Sequence, residues 1–206
     1  MIATTANAPA WDFSRKLDAG TRTVAFWGGA PDDLLWVRPD NRAGARLATD
    51  RLLERGYRQP MFLGSGDRHQ IQFEERLEGY VDAMRARGLA PHVVAITDAM
   101  GREDQARRAV DGLVQAGPDF DAIVAACDAY AFGALAALRA HSRHVPNNVG
   151  VIGFDGVAAG EQAWPPLTTI RPDFQTAGRL LVEAALAPQM QNSRVPVTLI
   201  ERGSVR

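Results

Sequence analysis

Short polar residues follow the apolar runs that the sequence predicts to be buried strands. They are Ser65, Asp98, Asp128 and Asp155, each near the carboxyl end of its run. In an open parallel sheet these ends lie along one edge, where clefts for small ligands form. Carboxylates and hydroxyls gathered at one edge suit a hydroxyl-rich ligand, so the spacing predicts a polar cleft there.

Two of these carboxylates allow more than one interpretation. Asp and Ser are common helix N-caps, and Asp128 stands just before a helical stretch, so capping and ligand binding both stay open for it. Asp155 precedes residues 156–160 (GVAAG), which predict no helix. A ligand contact is therefore the favoured interpretation for Asp155.

Arg76 is a further candidate because of its position on a predicted helix. Within the stretch from about Gln70 to Arg87, Arg76 lies one turn after Phe73 and one turn before Tyr80, at the border of the apolar stripe. This position directs its guanidinium toward the sheet edge. The rigid fork of donors suits vicinal sugar hydroxyls or a small anion. The alternative is a structural ion pair with one of the edge aspartates.

The elements that would hold these residues repeat as βα units of about thirty residues. Short apolar runs predict strands, and amphipathic stretches between them predict helices. The predicted strands lie at 23–27, 34–37, 61–63, 93–96, 122–126 and 149–154. The predicted helices lie at about 42–55, 70–87, 103–115 and 130–141. This alternation predicts an α/β fold with mostly parallel sheets flanked by helices.

Composition narrows the classes of function. The chain has 206 residues, 46% hydrophobic and 23% charged, which allows one large core or two modest lobes. A formal net charge of -1 is not the basic field of a nucleic-acid-binding surface. A single cysteine excludes an internal disulfide, and the histidine spacing matches no zinc-enzyme motif. We therefore expect no metal, no cofactor and no catalytic residue. With no signal peptide or membrane span in the sequence, the expected compartment is the cytoplasm.

Several longer motifs carry a family resemblance. The two most specific motifs are residues 145–155 (VPNNVGVIGFD) and residues 165–171 (PPLTTIR). Shorter matches are residues 40–45 (DNRAGA), 54–58 (ERGYR), 76–80 (RLEGY) and 127–134 (CDAYAFGA). With these motifs the chain resembles the lactose/galactose-repressor family of transcriptional regulators over nearly its whole length.

The resemblance implies a periplasmic-binding-protein-like fold of two α/β lobes, with an effector held between them. Three crossovers would form the hinge, near Gln59, Arg171 and Arg194. The expected division is 1–59 for a partial amino-terminal lobe, 60–171 for the carboxyl-terminal lobe, 172–194 for a return helix of the first lobe and 195–206 for a closing strand of the second. Compared with the family, the carboxyl-terminal lobe is complete and the amino-terminal lobe is truncated.

The family pattern also implies a site. Arg76 and Asp155 would make the principal polar contacts to a sugar, polyol or nucleoside effector. The other residues of the expected site are Cys127, Asp128, Gln72, Ala99, Trp27 and Phe174. Trp27 would face the effector from the amino-terminal lobe, with Phe174 stacked beneath it. Cys127 stands where the family often has an amide and Ala99 where many sugar-binding members have an aromatic residue, so the resemblance indicates no particular sugar.

Two macromolecular partners are implied as well. One is a second copy of the chain in a twofold dimer, with contacts through Phe132 and Ala136 on the 130–141 helix and Ala163 in the segment 160–164. The other is operator DNA, bound only through a helix-turn-helix headpiece that these 206 residues do not match. The implied function is therefore effector sensing in a DNA-binding regulator.

Functions of other classes are weighed against this one. A solute-binding protein of a sugar transporter would share the fold and stays open as the alternative. Residues 64–69 (GSGDRH) follow a strand and precede a helix, but the third glycine of the dinucleotide-binding fingerprint is missing. Neither Ser65 nor Ser142 has the glycine pattern of a hydrolase elbow. Both enzyme classes are disfavoured.

Overall fold

The computed structural model describes residues 2–3, 23–26, 35–65, 70–96, 101–117, 119–187 and 189–206, which form ten strands and six helices. The strands are β1 (Ile2–Ala3), β2 (Val24–Phe26), β3 (Leu35–Pro39), β4 (Pro60–Ser65), β5 (His92–Ile96), β6 (Ala122–Ala125), β7 (Gly150–Phe154), β8 (Thr168–Pro172), β9 (Ser193–Val195) and β10 (Val197–Ile200). The helices are α1 (Asn41–Glu54), α2 (Ile71–Ala86), α3 (Arg102–Ala116), α4 (Asp128–Ala140), α5 (Ala159–Gln162) and α6 (Phe174–Leu186). The predicted alternation of strands and helices is confirmed, with boundaries that differ by a few residues.

The larger sheet has six strands in the order β10-β8-β7-β6-β4-β5. Every neighbouring pair is parallel except β10 and β8. All residues of β6 and β7 are buried, and helices α1 and α4 pack against these strands. Uninterrupted apolar runs suit strands that helices cover, which is why β6 and β7 show no polar alternation. This is the mostly parallel sheet that the sequence predicts.

The smaller sheet has four short parallel strands in the order β1-β2-β3-β9. Helix α6 packs against β2, β3 and β9. The buried residues of this unit are Val24, Val37, Ala177, Leu181, Ala184 and Val195. They form a hydrophobic cluster separate from the core of the larger sheet. The fold is therefore two sheet-centred units of unequal size.

The chain passes between the two sheets at three places. They lie between β3 and α1, between β8 and α6, and between β9 and β10. Backbone hydrogen bonds join them: Asp40 N donates to Val195 O at 2.9 Å, and Asp173 N donates to Pro196 O at 2.9 Å. The three crossings thus form one hydrogen-bonded region, and the hinge role expected for it stays a prediction.

The first crossing differs from the expected position near Gln59. Helix α1 already packs on the larger sheet, where Ala48 and Leu52 belong to the main core. The chain therefore leaves the smaller sheet just before α1 rather than after it. The physical reason is that the apolar face of α1 has a much larger partner surface on the six-stranded sheet than on the four-stranded one.

Glycines bring two pairs of helices into close contact. A Cβ atom at Gly79 of α2 would overlap the backbone carbonyl of Arg42 in α1. Gly133 of α4 meets the carbonyl of Glu103 in α3 in the same way. Gly112 of α3 instead faces open space. The contact at Gly79 fixes α2 against α1, and α2 is the helix that carries Arg76.

Candidate functional site

Arg76 lies at the carboxyl edge of the larger sheet, as the sequence predicts. Its side chain is 1% exposed. Nε donates to Asn41 Oδ1 at 2.9 Å, Nη1 donates to the carbonyl oxygen of Ala126, and Nη2 lies 3.2 Å from Asp155 Oδ1. The guanidinium also stacks over the ring of Phe154, 3.6 Å from its centroid. Burial lowers the pKa of Arg76, and the carboxylate of Asp155 opposes this shift. The guanidinium is thus fixed in place with Nη2 facing Asp155.

Asp155 directly follows β7 and faces Arg76. Its φ is 117°, in a region that favours glycine, and its N–H donates to Ile170 O at 2.8 Å. Burial raises the pKa of Asp155, and the neighbouring Arg76 opposes the shift. Such strained backbone often marks a functional position. The residue is held with its carboxylate against the guanidinium of Arg76.

The Arg76–Asp155 pair has unused hydrogen-bonding capacity. Both Nη2 of Arg76 and Oδ1 of Asp155 are inaccessible to solvent, and they face each other at 3.2 Å in the ion pair that was the alternative for Arg76. Within the described part of the chain, neither atom has a hydrogen bond to a third group. Leaving a buried charged group incompletely paired costs free energy. A ligand that both donates and accepts hydrogen bonds, as a hydroxyl does, would complete both groups.

Cys127 and Asp128 follow β6 at the same edge. Cys127 is buried, and burial raises the pKa of its thiol to about 11, so the thiol is neutral at ordinary pH. Asp128 accepts from the hydroxyl of Thr169 at 2.6 Å and from Val157 N at 2.8 Å. Burial raises the pKa of Asp128 to about 6. Asp128 therefore braces the loop after Asp155 rather than capping the helix, and its contact to an effector stays a prediction.

The remaining expected site residues are only partly described. Gln72 lies one turn before Arg76 on α2, and its Oε1 is buried without a hydrogen-bond partner among the described residues. Phe174 is the first residue of α6 and is 51% exposed. Trp27 and Ala99 lie outside the described residues, as do Asp98 and the side chain of Ser65. The structure thus brings Arg76, Asp155 and Cys127 together, with Gln72 on the same helix.

Sequence reasoning missed the residues behind Arg76. Asn41, at the start of α1, accepts from Arg76 Nε and donates to Glu75 Oε2 at 2.9 Å. Glu75 in turn pairs with Arg38 and Arg194 of the smaller sheet. Adjacent acidic and basic residues on a helix are common on exposed faces, so the Glu75–Arg76 sequence alone does not indicate burial. Only the packing of α1 against α2 brings Asn41 between them.

The residues predicted to contact a second copy line a groove on another face. Phe132, Ala136 and Ala163 border a cavity of about 250 Å³ together with Trp164. Trp164 is 80% exposed, which is unusual for so large an apolar side chain. Helix α4 and the segment after α5 form this groove. The two are far apart in sequence, and the fold brings them together.

The sequence is similar to a known protein family and to known transcriptional regulators. The family described as "Periplasmic binding protein-like domain" matches residues 49–205. The transcriptional regulator CelR of Thermobifida fusca is 31% identical over 179 residues, which is 84% of this chain and 52% of CelR. The regulator GalR of Escherichia coli is 34% identical over 174 residues, which is 81% of this chain and 50% of GalR. The chain thus spans about half the length of these two relatives.

Solved structures of transcriptional regulators are also similar to this chain. A protein of Sanguibacter keddieii assigned to the LacI family is 31% identical with a TM-score of 0.76, covering 88% of this chain and 71% of that one. The CelR–cellobiose complex is 31% identical with a TM-score of 0.74, covering 88% of this chain and 58% of that one. A LacI-family regulator of Enterococcus faecium with bound ribose has a TM-score of 0.82 at 21% identity, covering 99% of this chain and 78% of that one, and shows the likeness of fold alone.

Proposed function

The chain belongs to the LacI/GalR family of transcriptional regulators, and from this premise we propose that it senses a small saccharide or polyol at the Arg76–Asp155 site. The single observation that carries the proposal is the buried Arg76–Asp155 ion pair at the carboxyl edge, whose two facing atoms have no hydrogen bond to a third described group. The name of one relative's complex, CelR with cellobiose, supports a sugar as the ligand class.

The ligand would lie between the larger sheet and the smaller sheet. Arg38 and Arg194 of the smaller sheet reach Glu75, the residue next to Arg76, so the cleft edge faces the smaller sheet. Phe174, on the smaller unit, is exposed and offers an aromatic face. We assign Arg76 and Asp155 to the rim hydroxyls, Gln72 to a further polar contact, and Trp27, Ala99 and Cys127 to the lining.

The proposal extends to the regulator as a whole. This chain has a formal net charge of -1, so we assign operator binding to a headpiece outside these residues, and no chemical step to the chain itself. Among the described helices, none is long and apolar enough to cross a membrane. Regulation of operator DNA would take place in the cytoplasm, with effector and DNA affinities linked reciprocally.

A ligand panel tests this proposal. We expect isothermal titration of the 206-residue chain with cellobiose, D-galactose and D-ribose to give saturable binding for at least one sugar. Arg76→Lys keeps the charge but loses the fork that serves several partners, so it should weaken that binding. Inorganic phosphate serves as the anionic control. Binding of phosphate with no binding of any sugar would assign the site to a different ligand class.

We also propose that the groove beside Trp164 joins two copies of this chain, because the exposed Trp164 lies there beside the half-buried Phe132, Ala136 and Ala163. Phe132→Asp should convert a dimer to a monomer in sedimentation velocity, since a charge would be desolvated in the contact. Val182→Asp is the matched control, because Val182 is an exposed apolar residue on α6. A monomeric wild-type chain, or a dimer that Phe132→Asp leaves intact, would contradict the proposal.

A further inference from the structure

Glu75 is an acidic side chain buried at the junction of the two units. It is 7% exposed. Its Oε1 lies 3.0 Å from Arg38 Nη2 and 3.2 Å from Arg194 Nη2. Arg38 of β3 and Arg194 of β9 are register partners in the smaller sheet. One carboxylate oxygen on helix α2 of the larger unit therefore pairs with two neighbouring strands of the smaller unit.

The second oxygen of Glu75 leads back to the ligand site. Oε2 accepts from Asn41 Nδ2 at 2.9 Å, and Asn41 Oδ1 accepts from Arg76 Nε at 2.9 Å. An amide has one accepting end and one donating end, so only one orientation of Asn41 satisfies both neighbours. Rotating the amide by half a turn would place its NH2 group against the N–H of Arg76. Glu75 thus fixes the orientation of Asn41, and Asn41 fixes Arg76.

We propose that Glu75 and Asn41 are positioning residues that make the orientation of Arg76 depend on the placement of the smaller sheet. This inference rests on the proposed role of Arg76 in ligand binding. Both guanidiniums pair with one buried oxygen, and the attraction between buried charges is strong and changes with their separation, so the cluster is sensitive to small changes in distance. A shift of β3 and β9 weakens the hold on Glu75, and the loosened Asn41 then releases Arg76.

The decisive variant is Arg194→Gln, because Arg194 acts on this network through Glu75 and its side chain is 43% exposed, so the substitution should fold. The readout is hydrogen exchange of the Arg76 Nε–H group by NMR, assigned by loss of its signal in Arg76→Lys. We expect exchange to be about tenfold faster in Asn41→Ala, which removes a charge-assisted hydrogen bond. Arg194→Gln should accelerate exchange by about threefold, since one of two partners remains.

The control is Asp82→Asn, which breaks the exposed Arg42–Asp82 ion pair between the same two helices. It should leave exchange of the Arg76 Nε–H unchanged. If Arg194→Gln has no effect, or if Asp82→Asn accelerates exchange equally, the relay from the smaller sheet is wrong. Because hydrogen exchange is measured without a ligand, it tests the relay even if the saccharide proposal fails. Where cellobiose, D-galactose or D-ribose binds, Arg194→Gln should also weaken binding by about threefold, while Asp82→Asn should not.

Discussion

Asp155→Ala should weaken saccharide binding to this chain by at least about tenfold. The lost carboxylate removes a charged acceptor for a ligand hydroxyl, and such a hydrogen bond contributes about 1.5 to 3 kcal/mol. The substitution also removes the carboxylate that lies 3.2 Å from Nη2 of Arg76, so this buried nitrogen loses its charged partner. The measurement is the dissociation constant from isothermal titration with whichever panel sugar binds the wild-type chain.

Two further variants separate this effect from a structural one. Asp155→Gly also removes the carboxylate, but it relaxes the strain of a side chain at φ 117°, so it should lose affinity while remaining more stable than Asp155→Ala. Glu161→Ala removes a nearby acidic residue that pairs with Arg202, and should bind normally. Unchanged affinity in both Asp155→Ala and Arg76→Ala would show that the ligand binds elsewhere.

Gly79→Ala should destabilise the chain by about 3 kcal/mol. The added methyl group would overlap the backbone carbonyl of Arg42, which cannot rotate away as a side chain could. Overpacking costs about 1 to 3 kcal/mol and more where the backbone must move, and the gain in helix propensity of up to about 1 kcal/mol offsets only part of it. Urea denaturation followed by circular dichroism measures the free energy of unfolding.

Gly112→Ala is the control for this helix substitution. Gly112 is also in a helix interior, but open space surrounds the position of its missing Cβ. The same change should therefore stabilise the chain by about 0.5 to 1 kcal/mol. Opposite signs for the two variants would show that α1 and α2 need the close approach at Gly79. If both variants are stabilised, the contact between α1 and α2 is looser than described.

Much of the fold could be predicted because its repeating units are regular. The apolar runs of β6 and β7 and the helical spacing along α2 each carry a strong local signal. The short elements α5, β8 and β9 are not predicted, because their sequences (AGEQ, TTIRP and SRV) contain no run of apolar residues. The packing of α1 on the larger sheet also depends on the relative areas of the two sheets, which no local pattern contains.

Only part of the candidate site could be predicted from the sequence. Arg76 and Asp155 could be found because a carboxyl-edge position and a helix border are readable in sequence, and the family motifs agree. Asn41 could not be found, since its two bonds join residues more than thirty positions away along the chain. Asp128 illustrates a second limit. A residue before a helix suggests a cap, whereas its actual partners, Thr169 and Val157, come from later in the chain.

The fixed guanidinium of Arg76 has a consequence for the thermodynamics of recognition. An arginine side chain carries about 2 kcal/mol of rotamer entropy, and here contacts with Asn41, Ala126 and Phe154 within the chain restrict it. That entropy is lost when the chain folds rather than when the ligand binds. A preorganised donor of this kind lets a small ligand with few contacts reach useful affinity, because little further ordering of Arg76 opposes its binding.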